Sequence, residues 1–110
     1  LSKKCDVIYY GAHSDDSAGS AYPDCSPEFN KAMGDAVYLG SGKQLKIVAP
    51  FVNLTKKDVV KKGLELNAPY QLTWSCYEGK EKQCGKCGTC IDRKRAFEEN
   101  GVKDPVEYAE

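Results

Sequence analysis

The run Cys5-Asp6-Val7-Ile8-Tyr9-Tyr10 is rich in β-branched and aromatic residues and stops at Gly11. It predicts a short strand with a buried stretch. Leu45-Lys46-Ile47-Val48-Ala49, stopped by Pro50, predicts a second. Between them Phe29, Met33 and Val37 recur four residues apart, with Ala32 and Ala36 beside them. That spacing is one apolar face of a helix. Ser26-Pro27-Glu28 opens it with a cap, a proline at the first position and an early acid, and Gly40-Ser41-Gly42 closes it. A second helix opens at Leu54-Thr55-Lys56-Lys57-Asp58-Val59. Thr55 caps, Asp58 reaches back from the third position, and Leu54 and Val59 are placed as a hydrophobic staple. It runs to about Leu66, where Asn67 can supply a left-handed end. Residues 91–100 predict a third, amphipathic helix ending at Gly101, and Asp104-Pro105 a last capped turn. The stretch from Gly11 to Cys25 follows no period: it holds three Asp, three Ser, two Gly and one Pro. It predicts a long loop, and long loops in compact domains tend to carry function.

Strands that alternate with helices imply right-handed parallel crossovers in an α/β layer. Two strands are too few for such a sheet to close its core. The expectation is a portion of a larger α/β domain, or a chain that relies on a metal and a partner. Residues 1–72 read as a partial α/β layer with the loop 11–25. Residues 73–110 read as a cysteine knuckle and a C-terminal helix.

Length and charge narrow the class. The 110 residues, 12.1 kDa, make one small domain. Lys+Arg and Asp+Glu are 16 each, so the net charge is zero. A chain that binds nucleic acid through phosphates would usually be basic, so direct nucleic-acid binding is not expected. No stretch approaches ~20 apolar residues, so no membrane span is expected. Leu1-Ser2-Lys3-Lys4-Cys5 has no apolar stretch behind it, so no secretion signal is expected either.

Four of the six cysteines, Cys76, Cys84, Cys87 and Cys90, crowd into fifteen positions as C-x7-C-x2-C-x2-C. Four thiolates suit a tetrahedral zinc ion at about 2.3 Å each. Gly85 and Gly88 let the backbone turn tightly between them. Two paired disulfides and an iron–sulfur cluster use the same residue type. Without a secretion signal, clustered thiols favour the metal. A closed four-cysteine site leaves no position for water, so the ion is read as structural, its binding energy becoming folding energy. Cys5 and Cys25 read as fillers or bystanders. A nucleophilic Cys25 would need a base, and His13 is the one histidine.

Taken in order, the segments Gly11-Ala12-His13-Ser14-Asp15-Asp16, Tyr22-Pro23-Asp24-Cys25-Ser26-Pro27-Glu28-Phe29, Leu54-Thr55-Lys56 and Thr73-Trp74-Ser75-Cys76-Tyr77 form a specific set. The Cys84, Cys87, Cys90 knuckle, Arg93 and Asp104-Pro105 complete it. The set resembles the C-terminal half of the 7-cyano-7-deazaguanine synthase family, nitrile-forming ligases of queuosine and archaeosine precursor synthesis. The resemblance covers nearly the whole chain. It implies the C-terminal portion of an adenine-nucleotide hydrolase-like (PP-loop ATPase) parallel-sheet fold. It implies a reaction in which 7-carboxy-7-deazaguanine, ammonia and ATP give the nitrile: the carboxylate is activated by nucleotide, converted to an amide, activated again and dehydrated. It implies one structural zinc on Cys76, Cys84, Cys87 and Cys90. The partners it implies are the missing N-terminal half and, from the family alone, a homodimer. The location it implies is the cytoplasm.

Two departures qualify that picture. The family's Ser-Gly-Gly-x-Asp-Ser loop is absent from these residues, and Gly40-Ser41-Gly42 follows a helix rather than preceding one. The ATP site is therefore expected outside this chain, which by itself should not turn over ATP. Ser26 stands where many members carry Arg.

For substrate contacts, a guanine-like edge offers N–H donors that carboxylates accept well. Asp15, Asp16 and Asp24 are candidates, with Tyr22 or Tyr77 as a stacking face and Arg93 as a partner for a carboxylate or phosphate. The plainer roles are turn caps for the acids, a core cover for Tyr22 and a helix tether for Arg93. No catalytic residue is assigned. The competing reading, a stand-alone zinc knuckle that binds RNA or protein, expects a basic excess that the balanced run Glu78-Gly79-Lys80-Glu81-Lys82 lacks.

Overall fold

A computed structural model of the chain describes residues 1–14 and 22–110. It divides into two compact units, Leu1–Thr55 and Lys56–Glu110.

In the first unit, β1 (Val7–Tyr9) and β2 (Lys46–Val48) pair in parallel, with Val7 opposite Lys46, Ile8 opposite Ile47 and Tyr9 opposite Val48. Parallel strands cannot be joined by a tight turn, and helix α1 (Pro27–Gly40) lies between them in the chain. Ser26 caps α1, its Oγ accepting from the Phe29 N–H at 3.1 Å, with Pro27 in the first turn. The left-handed pair Gly42 and Lys43 (φ 69° and 64°) turns the chain toward β2. The core is small: Ala12, Ala49 and Val52, with Tyr10 and Cys25 packed against them. The apolar face expected of α1 forms but is not buried. No residue of α1 is buried, and Phe29 and Met33 stay 38% and 41% exposed. The reason is length: a 14-residue helix is about 21 Å long, whereas a three-residue strand covers about 10 Å.

The second unit holds α2 (Lys56–Glu65), a single 3-10 turn (Tyr70–Leu72) and α3 (Gly88–Glu99). Asn67 ends α2 at φ 55° and Gly101 ends α3 at φ 72°, both left-handed as expected. Val60, Ala96 and Phe97 form the core between the two helices, with Tyr70 against them. The Tyr70 and Phe97 rings meet edge to face at 5.1 Å, and the Tyr70 hydroxyl reaches the Val59 and Val60 carbonyls. A methyl group at Gly63 would collide with that hydroxyl. The Asn100 amide donates to Ala96 O at 2.8 Å and to Lys57 O at 3.0 Å, tying α3 to α2. These contacts put α2 with the cysteine region in the unit Lys56–Glu110. α3 also starts three residues earlier than periodicity predicts. Cys87 is its cap and Cys90 sits in its first turn, where Gly and Cys carry no apolar rhythm. Among the described residues no helix is long and apolar enough to cross a membrane.

Candidate metal centre

Cys76, Cys84, Cys87 and Cys90 come together from three pieces of chain: the loop after Thr73, the turn at Gly85, and the cap and first turn of α3. Their sulfur atoms all lie within 4.8 Å of one another. Cys76 Sγ to Cys87 Sγ is 3.9 Å and Cys84 Sγ to Cys90 Sγ is 4.0 Å. Sulfurs at 2.3 Å from one tetrahedral ion stand about 3.8 Å apart. The quartet therefore has the dimensions of a mononuclear site. All six cysteines are among the described residues, and none is joined to another. A cluster of several irons would hold the sulfurs farther apart.

The backbone is arranged for negative sulfur. Cys76 Sγ accepts N–H bonds from Glu78, Gly79 and Cys84 at 3.3, 3.0 and 3.3 Å. Cys84 Sγ accepts from Lys86 and Cys87 at 3.4 and 3.2 Å. Cys87 Sγ lies 3.1 Å from the Thr89 hydroxyl. Hydrogen bonds to the charged form favour it. The Cys84 N–H, with those of Glu78 and Gly79, lowers Cys76. The Thr89 hydroxyl, with the Cys90 N–H, brings Cys87 down to about 5. Burial pushes Cys90 the other way. Cys90 is fully buried, so water cannot stabilise a thiolate there and a bound cation, on displacing the proton, would.

Around the quartet lies a polar frame that the sequence did not disclose. Arg93 is 6% exposed and uses all five of its N–H donors internally. Nε and Nη2 form a two-pronged pair with Asp104 at 2.7 and 3.0 Å. Nη1 reaches Thr73 Oγ1 at 2.9 Å and Thr73 O at 3.4 Å, and Nη2 reaches Tyr70 O at 3.1 Å. Burial raises the Asp104 carboxyl, but bonds from Arg93, Tyr108 and the Val106 N–H outweigh it, leaving Asp104 below the usual carboxylate range. Gln83 is 1% exposed, and its Oε1 accepts from the N–H and hydroxyl of Ser75. It lies in the hydrophilic run before Cys84, where no period marks a buried residue.

The other described candidates divide between the two units. Arg93 faces inward, its donors taken by Asp104, Thr73 and Tyr70. Tyr77 is 74% exposed beside Cys76. Tyr22 and Asp24 are exposed in the first unit, Asp24 in the short turn Pro23–Cys25. Asp15 and Asp16 lie outside the described residues. Ser26, at the position where an Arg was looked for, serves as a helix cap.

A sequence profile of the family described as Queuosine biosynthesis protein QueC matches residues 2–101. The chain belongs to the QueC family. The chain is 50% identical over 101 residues to a 7-cyano-7-deazaguanine synthase of Caldicellulosiruptor bescii, covering 92% of this chain and 45% of that protein. It is 52% identical over 100 residues to the Archaeoglobus fulgidus protein of the same name, covering 90% and 41%. Against that of Methanosphaerula palustris it is 44% identical over 111 residues, covering 99% and 49%. The chain thus spans less than half the length of these curated relatives.

Proposed function

We propose that these residues are the zinc-bearing C-terminal half of a 7-cyano-7-deazaguanine synthase, an ATP-dependent ligase that turns 7-carboxy-7-deazaguanine and ammonia into the nitrile. The identity to synthases across nearly the whole chain carries the reading. On this reading the sheet of β1 and β2 belongs to a PP-loop type parallel sheet, and the nucleotide site belongs to the other half. The enzyme works in the cytoplasm on a small molecule rather than on nucleic acid.

The metal is zinc and its role is structural. Four sulfurs fill a tetrahedron and leave no position for water or substrate. Zinc supplies folding energy here, not Lewis-acid chemistry. The chain's own residues do the positioning. Arg93 fixes Thr73, three residues before Cys76, against the helix that carries Cys90. That holds Tyr77 in an exposed place beside the metal loop, suited to stack on a planar base. Asp15, Asp16 and Asp24 remain the candidates for the base edge, and Tyr22 the alternative stacking face.

A chimera tests the reading: the N-terminal half of the Caldicellulosiruptor bescii relative joined to these 110 residues. ATP-dependent appearance of the nitrile by mass spectrometry is the expected result, with no ATP hydrolysis by the 110 residues alone. A folded, zinc-loaded chimera that forms no nitrile, or turnover by the 110 residues alone, contradicts it.

A further inference from the structure

We propose that the segment from Asp104 to Glu110 is a strap across the cysteine quartet, with Tyr108 as its clasp, and that it sets how slowly the bound ion leaves. The proposal rests on reading the quartet as a zinc site. The Tyr108 ring packs against the buried cluster of Cys76, Cys84 and Cys90. Its hydroxyl donates to Asp104, which is itself buried and held by Arg93. One residue on, the Ala109 N–H donates to Gln83 O at 2.8 Å, and Gln83 and Tyr108 form a parallel bridge. Lys94 Nζ stands 4.4 Å over the Tyr108 ring and donates to Gly85 O at 2.9 Å and Glu110 O at 3.1 Å.

These contacts grip the residues on both sides of Cys84. Gln83 is held by Ala109, and Gly85 is joined to Glu110 through Lys94. A metal ion leaves a four-sulfur site only when one sulfur swings away or a competing ligand reaches in. Holding both neighbours fixes the main chain at Cys84, so the loop cannot carry its sulfur away. Cys90 is fully buried and Cys84 is 8% exposed, so a chelator has little access from their side. Lifting the strap relieves both restraints at once. The outer ion pairs, Lys82 to Glu107 at 3.3 Å and Lys86 to Glu110 at 3.4 Å, are exposed and add little.

The test uses the whole 110-residue chain loaded with Zn2+, its metal transfer to an excess of a chromophoric chelator followed in time. Outer groups around a metal are commonly worth 10–100-fold in affinity. Tyr108→Ala is therefore expected to release zinc at least about ten-fold faster. Tyr108→Phe, which keeps the ring and loses the Asp104 bond, is expected between it and the unchanged chain. Glu107→Gln is expected to leave the rate alone. The Co2+ forms of all three variants should keep the sulfur-to-metal charge-transfer bands of a four-thiolate site. Unchanged release from both Tyr108 variants overturns the strap. So does acceleration that only tracks faster amide exchange throughout α3, since that is general loosening. A chain that binds neither Zn2+ nor Co2+ overturns the metal reading beneath the proposal, and the proposal with it.

Discussion

The two units reach order by different means. The first has a capped helix and a parallel strand pair, yet among its described residues the core is two alanines and a valine with partial cover, and no residue of α1 is buried. The second has no strand among the described residues. It buries Phe97, Gln83 and Cys90 almost completely and adds a buried ion pair between Arg93 and Asp104. Secondary structure follows from local signals in both units, but tertiary closure needs either enough apolar surface or a cross-link. The second unit has a polar cross-link and a quartet of sulfurs. The first presents an apolar helix face wider than its sheet.

The sharpest way to break the contrast is to remove the metal. Chelation, or Cys90→Ala, should abolish amide-exchange protection from residue 74 to 100 while leaving the α1 amides unchanged. Equal protection with and without metal would show that the second unit needs no cross-link.

Next in size is the buried ion pair. Removing one partner of such a pair leaves a buried charge uncompensated and costs about 3–5 kcal/mol. Asp104→Asn should lower the urea midpoint of the second unit accordingly. The pH dependence carries a sign. The folded carboxyl lies below its unfolded value of about 3.9, so its contribution is complete above that pH and lost as pH falls through the folded value. The gap between the unchanged chain and Asp104→Asn should stay constant from about pH 5 to 8 and close below about pH 4. A gap that widens in acid would contradict the assignment.

The smallest effects belong to the first unit. Ser26→Ala removes the cap of α1 and should cost about 1 kcal/mol. Met33→Ser, on the exposed face, should cost less than that, because 41% of the residue is already in water. A large loss from Met33→Ser would mean that this face is covered in solution.

The sequence disclosed what is encoded locally. Ser26-Pro27, Asn67 and Gly101 marked helix ends through capping chemistry that acts within one turn, and all three hold. The cysteine quartet was legible because C-x2-C spacing carries metal geometry in the sequence itself. Burial was not legible where it depends on distant partners. The i, i+4 pattern of Phe29, Met33 and Val37 announced a core that the short sheet cannot provide. For Arg93 a substrate partner and a helix tether could not be told apart locally, because its acceptors lie 11, 20 and 23 residues away, at Asp104, Thr73 and Tyr70. Gln83 and Tyr108 gave no signal, since a polar residue in a charged run and a lone tyrosine near the end are usually surface features.

X-ray absorption at the zinc edge of the reduced, purified chain tests the metal most directly. One zinc per chain with four sulfur neighbours at about 2.3 Å is the predicted result. Absence of zinc, or a first shell containing nitrogen or oxygen in place of sulfur, would contradict it.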